Sequence, residues 1–145
     1  MAFRCIQARY PTGMPMRWGR RRDVLGEISA SCKKRGIELG ASSHRIEHWF
    51  FMGPGKEFDS DVRDPMQRGD FYWPAVPGEY IQDLFSKPEP TDEFMQDWLV
   101  RTCEIIDRYH PRLIYFDWWI QHSACKPWLK KLAAYYYNRA AEWGN

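Results

Sequence analysis

The sequence has no long apolar run, no closely spaced cysteine pair and little net charge, and each absence excludes a class of protein. No run approaches the roughly 20 apolar residues that span a bilayer, so we expect no membrane segment. The four cysteines lie far apart without a C-x-x-C pair, which argues against a zinc site or a small disulfide scaffold. A net charge of +2 is too small to indicate nucleic-acid binding.

Targeting and cofactor motifs are also lacking. Residues 1–20 are basic and proline-containing, without the apolar core of a signal peptide, so a cytoplasmic location is the default expectation unless the natural start lies upstream. No glycine-rich phosphate loop and no serine elbow occurs. We therefore expect no cofactor and no metal, and the oligomeric state stays open.

Aromatic residues are abundant. They make up 17% of the 145 residues and include eight tryptophans, in a chain long enough for one globular domain. Flat indole rings favour carbohydrate or other flat ligands, although tryptophans that fill a core would give the same composition.

The hydrophobic pattern predicts helices that alternate with strands. Asp23 is suited to cap a first helix, Gly36 to end it, and residues 37–41 form a short strand. Thr91 is suited to cap a second helix, which residues 110–111, a His-Pro pair, should stop.

A second strand from Leu113 to Phe116 and a third helix near Lys126 complete the predicted order. The strand is fully apolar, which is typical of a central parallel strand covered on both faces. Alternation predicts an α/β fold with parallel strands. Because two strands cannot bury a sheet, either the first 20 residues add a strand or the chain is part of a larger barrel. Residues 42–90 are irregular, and a loop of this length is usually functional.

Asp117 is the candidate catalytic residue. It directly follows the predicted strand, and chemistry in α/β folds takes place at the C-terminal ends of strands. Trp118 and Trp119 come next and could form a wall for a sugar ring beside the carboxylate. The same pattern also fits an Asp that caps the next turn, with both indoles in the core.

A second candidate site follows the first predicted strand. His44 to His48 reads H-x-x-E-H, the inverted motif of zinc hydrolases, but the nearby glycines and proline leave little room for the helix that this motif needs. Alternatively, His44 and His48 bind sugar hydroxyls, with Trp49 as a wall. A histidine satisfied by backbone groups in a turn would fit the sequence equally well.

Four segments resemble α-L-fucosidases of glycoside hydrolase family 29. Residues 19–27 (GRRRDVLGE) resemble the family's G-P-x-R-D-[LV]-[VL]-G-E, and residues 34–40 (KRGIELG) resemble K-x-G-[LI]-x-[FL]-G. Residues 109–119 (YHPRLIYFDWW) are similar to [YF]-x-P-D-L-[IL]-W-x-D-x-x-W, and residues 135–138 contain the Y-Y-N of the next helix. The order and spacing of the segments carry the resemblance.

The resemblance implies a partial (β/α)8 TIM barrel, incomplete at both ends, in which residues 19–145 are the central part and residues 1–18 are unmatched. It implies a retaining α-L-fucosidase with Asp117 as nucleophile and a fucosylated oligosaccharide or glycoconjugate as substrate. A barrel of this type needs about 250 residues, so we expect a fragment with little activity alone.

The chain also departs from the family. It lacks the N-terminal His-Trp-Gly and the strand-three His-His pair, and the acid/base carboxylate normally follows the nucleophile strand. Two other hypotheses stay open: a non-catalytic carbohydrate-binding module, and a zinc hydrolase that uses His44 and His48.

Overall fold

The computed structural model describes residues 22–62, 64–76 and 88–144, in which helices alternate with strands. This mixed content agrees with the predicted α/β class. Residues 1–18, which the sequence motifs left unmatched, and the strand considered for the first 20 residues lie outside the described residues. The main elements are helices α1 (Val24–Lys34), α2 (Glu47–Phe51), α3 (Asp92–Tyr109) and α4 (Lys126–Glu142), strands β1 (Gly40–Ser43) and β2 (Leu113–Phe116), and 3-10 helices Gly53–Lys56, Trp118–Gln121 and Ser123–Cys125.

The two strands pair in parallel, as the alternation predicted. Ser43, the last residue of β1, lies opposite Phe116, the last residue of β2. β2 has its predicted bounds, but β1 begins at Gly40 rather than at residue 37. The reason is that the Ile37 N–H donates to the Cys32 carbonyl at 3.0 Å, so the C-terminal turn of α1 extends into the predicted strand. Within the described residues the sheet has only these two strands, and no closed barrel is seen there.

The prediction that β2 is covered on both faces is wrong for the described residues. Leu113 and Tyr115 are each 62% exposed, whereas Ile114 and Phe116 pack against the core. One face of the strand therefore meets the helices, and the other has no covering element within the described ranges. Continuous hydrophobicity could not distinguish these two faces.

The predicted helix ends are confirmed. The Asp23 carboxylate accepts from the Gly26 N–H at 2.9 Å, and the Thr91 hydroxyl accepts from the Phe94 N–H at 3.2 Å. Gly36, just after α1, has the left-handed conformation expected of a C-terminal glycine, with φ of 66°.

The core lies where α3 and α4 meet the segment after β1. Helix α2 places Trp49 and Phe50 in this core, together with Trp98 of α3. The expectation that the nearby glycines and proline leave little room for a helix agrees with the length of α2, which has five residues and begins only at Glu47, so it does not include His44. Among the helices of the described ranges, none is both long and apolar enough to cross a membrane.

Candidate functional site

The site lies where the two strands end. His44 directly follows β1 and Asp117 directly follows β2. Because the strands run in parallel with Ser43 opposite Phe116, both residues leave the same edge of the sheet. The structure thus brings together the two residues that the sequence placed at strand ends.

Glu47 joins these two residues. One carboxylate oxygen of Glu47, one of Asp117 and one ring nitrogen of His44 all lie within 4.8 Å of one another. Glu47 is the first residue of α2, so the turn between β1 and this helix carries both His44 and Glu47. Among the described residues, these three form the group whose atoms come close enough to hold a metal ion.

The two oxygens of Asp117 have different environments. Oδ1 accepts from the Trp119 N–H at 2.9 Å, which caps the following 3-10 helix. Oδ2 is buried and has no hydrogen-bond partner within the described part of the chain. A buried acceptor without a partner is costly, so it commonly marks a functional group. The expected capping role is therefore present, but it occupies only one oxygen.

The electrostatic surroundings of Asp117 make its ionisation harder. Burial raises the pKa of Asp117 to about 6, and the negative charge of Glu47 acts in the same direction. The Trp119 N–H and the His44 ring oppose this shift. A carboxyl with such a pKa changes its charge near neutral pH, which is characteristic of active sites.

His44 links the cluster to solvent. Its side chain is 59% exposed, and Nδ1 lies 3.1 Å from Glu47 Oε1. Nε2 lies 3.1 Å from the Ser42 hydroxyl. The hydrogen bond with Glu47 raises the pKa of His44, since the carboxylate stabilises the imidazolium. Both ring nitrogens thus have a partner that fixes the ring orientation.

His48 does not join the cluster. Its Nδ1 lies 2.9 Å from both Arg45 Nη1 and the Phe71 carbonyl oxygen. Burial lowers the pKa of His48 to about 4, so the ring is neutral at physiological pH. Because α2 begins only at Glu47, His44 precedes the helix and the two histidines do not share a helical face. This arrangement does not favour a zinc site built on both.

The three predicted tryptophans divide between surface and core. Trp118 is 47% exposed, whereas Trp119 is buried and stacks on Phe50 with ring centroids 4.6 Å apart. Trp49 is also buried, and its indole N–H donates to the Pro88 carbonyl at 2.8 Å. The structure gives Trp49 and Trp119 packing roles and leaves Trp118 as the exposed indole of the three.

Arg45 anchors the turn that carries His44 and Glu47. Its guanidinium donates to the Asp97 carboxylate of α3 at 2.8 Å and to the Trp73 carbonyl at 2.6 Å. Both ends of the ion pair are buried. Arg45 lies between His44 and Glu47 in the sequence, so its buried guanidinium fixes the position of the turn that carries both residues.

The sequence did not identify Glu47 as a partner of Asp117. Glu47 entered the sequence analysis only as the glutamate of the H-x-x-E-H motif. The sequence feature that could have indicated this contact is the position of Glu47 three residues after His44. In a turn that leads into a helix, side chains three residues apart can form a hydrogen bond.

Comparison with known proteins assigns the chain to a family. The family model described as Alpha-L-fucosidase matches residues 10–145, which is nearly the entire chain. No curated protein matches. The chain belongs to the α-L-fucosidase family.

Proposed function

We propose that the protein is a retaining α-L-fucosidase in which Asp117 is the nucleophile. The observation that carries the proposal is the position of Asp117 at the C-terminal end of β2, with Oδ2 buried and without a hydrogen-bond partner among the described residues. The lone pairs of this oxygen are not committed to a hydrogen bond among the described residues, while Oδ1 keeps the side chain oriented through Trp119.

The mechanism proceeds in two displacements. Oδ2 of Asp117 attacks the anomeric carbon as the bond from that carbon to the glycosidic oxygen breaks and the leaving oxygen takes up a proton, which gives a fucosyl-enzyme and an alcohol. Water then attacks the same carbon and loses a proton as the bond to Asp117 breaks, so the two inversions give net retention. With a pKa of about 6, Asp117 is mostly ionised at neutral pH, as a nucleophile requires.

The substrate is a fucosylated oligosaccharide or glycoconjugate. The exposed face of Trp118 suits the apolar face of a pyranose, and the exposed His44 ring suits a sugar hydroxyl. The two parallel strands, with their chemistry at one end, suit a (β/α)8 barrel, in which sites form at that end.

Two measurements test this function. In the complete barrel enzyme that contains these residues, a 2-fluoro fucosyl fluoride should add one fucosyl group, and peptide mass spectrometry should locate it on Asp117. Proton NMR of the first product from an aryl fucoside should show the retained anomer. Asp117→Asn should abolish labelling and lower kcat at least ~10³-fold, since the asparagine amide cannot attack the anomeric carbon.

Other outcomes would contradict the proposal. Initial release of the inverted anomer, or near-normal turnover in Asp117→Asn, would exclude Asp117 as nucleophile. A carbohydrate-binding module would bind fucose without labelling, so binding with no covalent adduct would favour that alternative.

A further inference from the structure

The direction of the Asp117 carboxylate depends on the backbone of Trp119. Oδ1 of Asp117 accepts from the Trp119 N–H at 2.9 Å, whereas Oδ2 has no hydrogen-bond partner among the described residues. Trp119 belongs to the 3-10 helix Trp118–Gln121, which is four residues long. Hydrogen bonds in a 3-10 helix have poorer geometry than those in an α-helix, so packing of its side chains has to hold so short a segment in place.

Phe50 of α2 packs against two rings of this segment. Its ring stacks on the Trp119 indole, with centroids 4.6 Å apart and planes inclined by 12°. It also contacts the His122 ring, with centroids 5.3 Å apart. His122 ends the 3-10 helix, and its N–H donates to the Trp119 carbonyl at 3.1 Å. Phe50 therefore contacts the segment both near its start and at its end.

All three rings are buried. Phe50 is 5% exposed, and Trp119 and His122 are each 1% exposed. Protein interiors are close-packed, so a change in the shape of one ring moves the rings that it contacts. A flat ring at position 50 thus constrains the plane of the indole and, through the Trp119 side chain, the direction of the Trp119 N–H.

We propose that, within the fucosidase function proposed above, Phe50 is a positioning residue for the nucleophile: its stack on Trp119 holds the N–H that binds Asp117 Oδ1, which keeps Oδ2 directed at the anomeric carbon. Phe50 itself does not touch the reacting atoms. Because α2 follows β1 and Trp119 follows β2, this stack joins the two strand ends of the site through packing.

Phe50→Leu keeps an apolar side chain but removes the flat ring. The Trp119 N–H should then be held less firmly, so Oδ2 is less well directed, and we expect labelling of Asp117 to slow about 10–10²-fold. The hydrogen bond from Trp119 lowers the pKa of Asp117, which burial raises to about 6. A weaker bond should therefore move the midpoint of the labelling rate to a pH above 6.

Two measurements on the complete barrel enzyme test this role. Intact-mass spectrometry gives the rate of labelling by the 2-fluoro fucosyl fluoride from pH 4 to pH 8. Hydrogen–deuterium exchange of the peptide that contains Trp119 follows the N–H itself without any substrate, and we expect faster exchange in Phe50→Leu than in the unaltered enzyme.

Ile106→Ala is the control for a general loss of core packing. Ile106 is fully buried near the C-terminal end of α3, which leads into the start of β2, whereas Asp117 follows the end of that strand. This variant also loses stability through a cavity, but it should keep the labelling rate, the midpoint and the exchange of the Trp119 peptide. All variants are compared at a temperature at which circular dichroism shows them folded. If Phe50→Leu does not fold, Phe50→Met, with an adaptable side chain, replaces it and should show the same changes.

The outcomes separate this inference from the function on which it rests. An unchanged midpoint and unchanged exchange in folded Phe50→Leu would overturn the positioning role and leave Asp117 as nucleophile. Equal changes in Ile106→Ala would also overturn it, as would a midpoint below 6, which would mean that Phe50 acts by setting the distance of Glu47 from Asp117. If the unaltered enzyme is not labelled, the fucosidase mechanism fails, and the exchange measurement alone decides whether Phe50 holds the Trp119 N–H.

Discussion

Arg45 Nη2 lies 2.8 Å from Asp97 Oδ2, and both side chains are buried. The Asp97 carboxylate also accepts from Arg101 Nε at 2.8 Å. This ion pair connects the turn between β1 and α2 to α3, so the part of the fold that carries His44 and Glu47 depends on a buried charge.

Asp97→Ala should lower the free energy of unfolding by about 3–5 kcal/mol. The physical reason is that removal of one partner leaves the Arg45 guanidinium buried without its counter-charge. Urea denaturation followed by tryptophan fluorescence measures the change. Asp59→Ala, at an exposed position, is the control and should change stability by no more than about 0.5 kcal/mol. Equal losses in the two variants would show that the pair does not hold the fold together.

Truncation of the two adjacent tryptophans should affect different properties, stability for Trp119 and fucose binding for Trp118. Trp119→Ala should cost about 3–5 kcal/mol of stability, because it leaves a cavity beside the stacked Phe50 ring. Trp118→Ala removes a half-exposed ring, so it should leave stability nearly unchanged and weaken fucose binding.

Thermal unfolding and a fucose titration monitored by NMR distinguish the two effects. Each variant serves as the control for the other. If Trp118→Ala binds fucose as tightly as the unaltered chain, the exposed indole is not part of the sugar site.

The elements that local chemistry defines could be predicted from the sequence. Thr91 had an oxygen suited to cap α3, and the apolar run from Leu113 to Phe116 had a length typical of a strand. The strand before His44 begins three residues and ends two residues later than predicted, because Ile37 bonds to the C-terminal turn of α1 instead of starting the strand. Local patterns do not indicate which of two hydrogen-bonded structures a residue joins.

The candidate site was predicted only in part for a related reason. The positions of His44 and Asp117 follow from the strand ends, which the sequence marks. The proximity of Glu47 depends on a short helix whose two aromatic residues enter the core formed by α3 and α4. The burial of Trp119 and the exposure of Trp118 likewise depend on residues that are distant in the sequence. The sequence around two adjacent tryptophans therefore does not indicate which of them is buried.

Asp117→Asn should stabilise the protein relative to the unaltered chain as pH rises. In the folded state the pKa of Asp117 is about 6, above that of an ordinary aspartate, so the folded state holds this proton more tightly. The contribution of Asp117 to stability is therefore fully present below about pH 4 and is lost as pH rises to and through 6.

Urea denaturation of both proteins from pH 4 to pH 8 measures this difference. As the pH rises across that window, the unfolding free energy of the unaltered protein should fall relative to that of the asparagine variant, which has no charge to bury. A gap that does not vary with pH would show that the folded and unfolded states bind this proton equally.

Covalent labelling should report the ionisation of Asp117 directly. Only the carboxylate attacks, so the labelling rate with the 2-fluoro fucosyl fluoride should rise with pH and reach half its maximum near pH 6. In Glu47→Gln the midpoint should move to lower pH, because the neighbouring negative charge that raises the pKa of Asp117 is gone. His44 opposes that charge more weakly, so a change in its protonation should not reverse the direction.

Rates of adduct formation by intact-mass spectrometry between pH 4 and pH 8 measure both midpoints, with Glu57→Gln as the matched control. That control removes an equal charge at an exposed position outside the cluster, so its midpoint should stay near 6. If Glu47→Gln and Glu57→Gln have the same midpoint as the unaltered chain, Glu47 does not act electrostatically on Asp117. A midpoint that rises in Glu47→Gln would mean that Glu47 acts on Asp117 mainly through the charge of His44.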